Sequence, residues 1–260
     1  MSKEKILVIN SLDREAGGTN ADFTCFFNSD SSTQGVLKVL VKDVFIPHLF
    51  YNIEAGINDR LDFKQLNTVL QVIIPEGQYN ISILKSTLKT LMDAVLTNNT
   101  VVTITEGSPT YKLNFTFSGG TLPPNDLVNF IAPDGINSTL APLIGLTGAL
   151  LQAANIPMQE IFNLSGIQYV QVHSPQIAEI HGLDSGSNSY ISLLETVSMT
   201  DTGFGSTAHR QNNDDELSEI LYEQPRNLSR VSIVLRDQTG RKLTLPDNHN
   251  CSVLLKIYFD

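Results

Sequence analysis

The residues able to do chemistry are few and widely spaced. Histidines stand at His48, His173, His181, His209 and His249. None forms an H-x-H pair, the spacing that sets two imidazoles on one face of a strand for a metal. His173 and His181 flank a loop and are the pair that could meet in space. The expectation is surface or half-buried histidines with hydrogen-bonded rings, and no metal site. Asp214, Asp215 and Glu216 form an acidic run. A Ca²⁺ loop takes oxygens from alternate positions around a sharp turn, so a consecutive run reads as solvated loop. No G-x-x-x-x-G-K-S/T is present to cradle phosphate. The piece Gly182 to Gly186, GLDSG, misplaces its serine for a nucleophile elbow. H-E-x-x-H and C-x-x-C are absent. These patterns point to no catalytic residue, no cofactor and no enzyme.

Cys25 and Cys251 allow at most one intrachain disulfide, so a disulfide scaffold is excluded. Met1 to Lys5 lead into only four apolar residues, Ile6 to Ile9, before Asn10. That is too short for a signal peptide. With no secretory route visible, both cysteines are expected as reduced, buried thiols acting as small hydrophobes. Seven Asn-x-Ser/Thr triplets, the one at Asn137 among them, then reflect composition and not glycosylation. Asp13-Arg14 reads as a charge pair or a partner contact; a surface pair stabilises by only ~0–1 kcal/mol.

The balance of charge narrows the partners. Lys+Arg number 17 against 27 Asp+Glu, a formal charge of −10. The basic residues are scattered, which argues against direct nucleic-acid binding. No apolar run approaches the ~20 residues of a membrane helix. Hydrophobic content of 41% suffices for a core, which rules out disorder for most of the chain.

The elements that must position these residues are mostly strands. Phe23 to Phe27 alternates Phe23, Cys25 and Phe27 on one face. Val36 to Ile46 is the strongest strand, with Val39, Val41 and Asp43 facing one way and Leu40, Lys42 and Val44 the other. Pro47 ends it. Arg60 to Phe63 and Thr68 to Ile74 follow, around a turn with Gln65 and Asn67. Ile81, Leu84, Leu88, Leu91 and Val95 are spaced 3, 4, 3, 4, one stripe of a helix, with Asn80 as its N-cap. Strands are predicted at 101–105 and 111–117, and an irregular helical stretch over 139–146. Residues 76–155 are read as an α+β insertion, and 1–75 with 156–260 as one β-domain. That domain resumes with 166–172 and 192–199. Residues 201–216 read as a long polar loop. Arg230 to Arg236, the turn from Asp237 to Gly240, Lys242 to Leu245 and Cys251 to Phe259 complete it. Short strands with turn signals indicate a sandwich, mainly β, and specifically a single jelly roll. In a jelly roll the first and last strands share a sheet. Taking 23–27 as first and 251–259 as last sets Cys25 and Cys251 on the inward face near one end.

One series of residues resembles a known family. It runs Asn10-Ser11-Leu12-Asp13-Arg14, Phe23-x-Cys25-x-Phe27, Ile46-Pro47 and Tyr51-Asn52-Ile53. It continues with Ile74-Pro75-Glu76-Gly77-Gln78-Tyr79, the Leu-Ile-Gly-Leu of 143–146, and Ile233-x-Leu235-x-Asp237-x-x-Gly240. Their order and spacing resemble the minor capsid, or penton, proteins of virophages, polinton-like viruses and related large DNA viruses. The resemblance implies structural roles for Asp13, Arg14, Pro47, Tyr51, Asn52, Pro75, Gly77, Tyr79, Asp237 and Gly240. It implies a virion protein made in the host cytoplasm. Five copies (a homopentamer) would plug each icosahedral vertex beside a double-jelly-roll major capsid protein and other minor capsid proteins. Another single-jelly-roll role, as a cement or fibre-base protein, and a jelly-roll glycan-binding module are the alternatives. A single fold hosts many functions.

Overall fold

The computed structural model describes residues 3–27, 34–66, 68–119, 128–131, 138–149, 155–178, 182–184, 189–212 and 219–259, with the backbone alone at 182–184 and 189–191. Asn67, Asn137, His181, Ser185, Gly186 and the run Asp214, Asp215, Glu216 lie outside the described residues. The first strands are β1 (Lys3–Asn10), β2 (Asp22–Phe26) and β3 (Val36–Pro47). Then come β4 (Arg60–Gln65), β5 (Thr68–Ile73), helix α1 (Ile81–Val95), β6 (Val101–Glu106), β7 (Leu113–Ser118), β8 (Val128–Phe130) and β9 (Asn155–Pro157). The last are β10 (Tyr169–His173), β11 (Gly182–Asp184), β12 (Ser189–Ile191), β13 (Leu193–Ser198), β14 (Thr207–Gln211), β15 (Glu219–Arg226), β16 (Arg230–Arg236) and β17 (Ser252–Phe259). The chain divides into two compact units, 1–50 with 167–260, and 51–166.

The first unit is a jelly roll. One sheet runs β1-β17-β3, with β14 and β15 sharing the far edge of β3. The other runs β13-β10-β16-β2. Let β14 and β15 count as one position, and set the β11–β12 hairpin aside. The first sheet then holds the first, last, third and sixth strands, and the second holds the second, seventh, fourth and fifth. That interleaving is two Greek keys wrapped as a jelly roll. The strand beside β17 is β1, paired from Lys3↔Phe259 to Asn10↔Ser252. This corrects the expectation that residues 23–27 would be the first strand. β2 pairs instead with β16 in the opposite sheet. Phe23 and Leu255 still share one core, because the two sheets close over it from either side. Alternation holds along β17, where Val253, Leu255, Ile257 and Phe259 are buried and the intervening residues are not.

β3 breaks its expected alternation. Against β17, Asp43 faces Leu254 and Val41 faces Leu255, leaving Lys42 as an extra residue. A second shift leaves Leu37 extra. Each bulge reverses the phase, so Val41 and Val44 are both buried in the core. The loop expected over 201–216 also contains a strand, since Thr207–Gln211 pairs with Pro47–Asp43. Only Ala208 of that strand is buried, so it carries no two-residue apolar period.

The second unit has sheets β5-β4-β8 and β6-β7-β9 with α1. It is wider than the expected 76–155. The reason is pairing: β4 bonds to β8, and Leu61 and Phe63 join Leu84 and Leu88 of the helix in one core. Asn80 caps α1, its Oδ1 accepting the Ile83 amide at 2.9 Å. The buried stripe is Leu84, Leu88 and Met92, with Ile81, Leu91 and Val95 partly buried at its border. Phe115 meets Phe130 edge-on at 4.9 Å, a favoured aromatic geometry.

Candidate functional site

The corner after β1 is built around Arg14. Asn10 starts a short 3-10 turn by accepting the Leu12 amide at 2.9 Å. Arg14 Nη1 donates to the Ser11 carbonyl at 2.8 Å and to Asn20 Oδ1 at 2.7 Å, and Nε donates to the Gly18 carbonyl at 3.0 Å. Its ion-pair contact is the exposed Asp247 at 3.9 Å, while Asp13 beside it is exposed. Arg14 therefore braces a loop, a use that suits the planar fork of guanidinium. Asn20 in turn donates to the Pro246 carbonyl at 2.9 Å, which ties this corner to the turn before β17.

The two thiols sit in the same corner, Cys25 within β2 and Cys251 just before β17. Cys25 Sγ donates to the Asn10 carbonyl at 3.3 Å, and Cys251 Sγ to the Asn20 carbonyl at 3.2 Å. Ser11 Oγ accepts the Cys251 amide at 3.1 Å. Both cysteines are free and buried. Burial pushes the Cys25 thiol above its usual range and the Cys251 thiol up to about 12. Neither is a reactive thiolate at neutral pH.

Asp237 organises the turn after β16. Its Oδ1 accepts from the Thr239 amide at 2.9 Å, the Thr239 hydroxyl at 2.7 Å and the Arg241 amide at 3.0 Å, and Oδ2 accepts Arg241 Nε at 2.9 Å. Gly240 takes φ +83°, the left-handed turn position that glycine adopts without penalty. Burial pushes the Asp237 carboxyl up, but the bonds from Thr239 and Arg241 outweigh it and hold it below the usual carboxylate range. His173, buried in the opposite sense, is pushed below its ordinary 6.5 by desolvation and then by Arg236. Both groups have folded pKa values below their unfolded ones, so each contributes stability at high pH that is lost on acidification. The His173 contribution is full above pH 6.5 and falls away below it; that of Asp237 is full above its ordinary 3.8. Urea midpoints measured against pH are expected to show both limbs. His173→Gln flattens the upper limb alone, and Asp237→Asn the lower limb alone. Unchanged slopes in both variants would refute the assignment.

In the inserted unit, Asn52 acts as a backbone surrogate. Its Nδ2 donates to the Tyr79 carbonyl at 2.8 Å and the Leu164 carbonyl at 3.0 Å, and Oδ1 accepts the Tyr79 amide at 2.8 Å. The Pro-Glu-Gly-Gln-Tyr segment is self-bracing. Tyr79 Oη donates to the Pro75 carbonyl at 2.8 Å. The Tyr79 ring lies where a Cβ on Gly77 would be 3.1 Å away. Tyr51 is partly exposed. Pro47, in the first unit, is buried as the last residue of β3, opposite Thr207.

The outer face of the β1-β17-β3 sheet is a candidate interaction surface. A rung of charge and aromatic contacts crosses it. Glu4 bonds Lys256 at 2.8 Å, and Lys256 and Lys38 lie 5.1 and 5.0 Å from the Tyr258 ring centre. Lys38 pairs with Glu219 of β15. The Glu4 bond, followed by Tyr258, holds the Lys256 ammonium above the usual lysine range. At the β1 margin Ile6 and Val8 are 57% and 53% exposed, and at the β15 margin Leu221 is 67% exposed. Sequence reasoning passed over all three. Ile6 and Val8 sit in an apolar run judged only as a leader, and β15 went unassigned. Among the described residues, no three His, Cys, Asp or Glu groups are placed to hold a metal ion. Among them, too, no helix is long and apolar enough to cross a membrane.

No family model matches the chain, and no curated protein matches it. Among solved structures, the mavirus penton protein is similar over 98% of this chain and 99% of that chain, with 11% sequence identity and a TM-score of 0.49.

Proposed function

We propose that this chain is a structural protein of a viral capsid, forming a five-copy plug at the icosahedral vertex against a double-jelly-roll major capsid protein. The residue series quoted above supports this reading. Its members act as braces of one jelly roll (Arg14, Asp237, Gly240) and of the inserted unit (Asn52, Gly77, Tyr79). The observation that carries it is the pair of apolar margins on one sheet. Ile6 and Val8 stand at one margin and Leu221 at the other. A closed ring needs such a head-to-tail contact, in which one surface of each copy meets a different surface of the next.

Mass photometry of the purified chain is the test. A species at five times the 28.6 kDa chain is expected. Val8→Lys and Leu221→Lys are each expected to give monomers. An equimolar mixture of the two should give dimers and nothing larger, because each variant keeps one working margin. A wild-type chain that stays monomeric and is absent from purified particles would overturn the reading.

A further inference from the structure

Two edge strands of the inserted unit are finished differently. β6 is covered by the helix: Asp93 Oδ1 of α1 accepts the Val102 amide at 2.8 Å, and Lys89 Nζ donates to the Val102 carbonyl at 2.9 Å. β5 ends the β5-β4-β8 sheet. The Ile74 amide donates to the Asp59 carbonyl at 2.8 Å, and the β4–β5 register continues from that pair. Hydrogen-bonded pairs alternate along an antiparallel ladder. Thr68, Leu70 and Val72 therefore bond to β4, while Val69, Gln71 and Ile73 turn their N–H and C=O away from it. Among the described residues, no hydrogen bond reaches those three backbones from the open side.

The same three residues hold the sheet face turned away from the core. Val69 and Ile73 are 53% and 51% exposed, whereas Val72 is buried. The charges on that face come from β4, where Arg60 faces Ile73, Asp62 faces Gln71 and Lys64 faces Val69. Asp62 accepts Gln71 Nε2 at 2.8 Å, and Arg60 lies 3.9 Å from Asp59. Lys64 is exposed and makes no ion pair among the described residues. β5 itself, Thr-Val-Leu-Gln-Val-Ile, carries no charge, proline or glycine. Edge strands are normally guarded by such residues. An uncharged stretch rich in β-branched residues is instead the composition of strands that pair with copies of themselves.

The register selects the occupant. An antiparallel copy of β5, related by a two-fold axis at Gln71, sets Val69 against Ile73 of the second copy and Gln71 against its own counterpart. Every outward-turned backbone then meets another outward-turned backbone, apolar side chain meets apolar side chain, and carboxamide meets carboxamide. No like charges are brought together. Lys64 and the Arg60 of the second copy end the same cross-strand row, three strand spacings or about 14 Å apart, beyond the screening length at physiological salt.

We propose that the inserted units of two chains join through β5, as an isologous two-fold contact centred on Gln71. The contact uses none of the residues that carry the ring and does not depend on a vertex location. Cross-linking of the full chain tests it by register. Facing residues of a hydrogen-bonded pair have Cα atoms about 5.5 Å apart, within the span of a disulfide. Gln71→Cys chains treated with diamide should therefore give covalent pairs on a non-reducing denaturing gel. Val69→Cys alone and Ile73→Cys alone should give at least about tenfold less, since each position then lies about 13 Å from its own counterpart. An equimolar mixture of those two variants should cross-link as well as Gln71→Cys does. The native Cys25 and Cys251 are buried, and the three substituted positions are exposed, so neither stray thiols nor misfolding decides the result. The gel counts covalent pairs whether or not rings form, so this contact and the ring stand or fall separately. Absence of cross-linking both in Gln71→Cys and in the mixture overturns the proposal. So does Val69→Cys pairing with itself as readily as with Ile73→Cys, which would mean contact without register. Saturable binding of a peptide of residues 68–73 to chains that do not cross-link would overturn it too, and would make the occupant an extended strand of another protein.

Discussion

Gly145→Ala is expected to destabilise the inserted unit by at least about 3 kcal/mol, from left-handed strain together with a backbone collision. Gly145 ends the 3-10 turn over Ala141–Ile144 at φ +83°. A Cβ there would lie 2.1 Å from the Glu160 carbonyl oxygen. That oxygen belongs to a backbone held in place, because the Glu160 amide donates to the Gly145 carbonyl at 2.9 Å and the Asn163 amide to the Leu143 carbonyl at 2.7 Å. The chain must separate there or lose the turn. Gly240→Ala is the matched control. It has the same φ of +83° and nothing within 4 Å of its Cβ, so only the ~1–2 kcal/mol of left-handed strain applies. Hydrogen exchange resolves the two effects by place. Gly145→Ala should speed exchange in β4, β7 and β8 and leave β16 and β17 protected, since the two cores are separate. Equal protection in Gly145→Ala and wild type would refute the steric argument.

Asn52→Ala is expected to follow closely, at about 3 kcal/mol or more. The substitution strands the Tyr79 amide, the Tyr79 carbonyl and the Leu164 carbonyl, all bonded by one buried side chain. Each buried group left without a partner costs about 1–3 kcal/mol. Alanine keeps the Asn52 Cβ and removes only the carboxamide that makes all three bonds. Asn52→Asp should not rescue it. A carboxylate can still accept from Tyr79, but it has no protons for the two carbonyls and sets a negative charge against them. Urea unfolding followed by exchange at Tyr79 and in α1 measures the difference. A variant indistinguishable from wild type there would mean that water replaces the amide without loss.

These two positions show why the motif residues were recognisable before their work was understood. Glycine in Leu-Ile-Gly-Leu and in Pro-Glu-Gly-Gln-Tyr stands out by type, but the reasons lie elsewhere in the chain or in a side chain's fold. One is the Glu160 carbonyl, fifteen residues on; the other is the Tyr79 ring lying over Gly77. The Asp13-Arg14 dipeptide reads as a charge pair or a partner contact. The partners of Arg14 are carbonyls and Asn20, which no charge pattern reveals. Ile6, Val8 and Leu221 carry no motif at all. Their significance comes from exposure, a property of the sheet and not of the residue.

What the amino-acid order determined by itself is local. It set the N-cap at Asn80 and the stripe of α1, the buried face of β17, and the Asp237–Gly240 turn, because capping, periodicity and turn geometry act over a few residues. It also marked the chain as mainly β. Only the tertiary structure decided which strands are neighbours. It put β1 and not β2 beside β17, moved β4 and β5 into the inserted unit, drew Thr207–Gln211 out of a polar loop, and placed the bulges at Leu37 and Lys42. Strand partners and register are chosen by distant edges that need bonding and by a core that must be filled, and neither quantity is written in any short stretch of sequence.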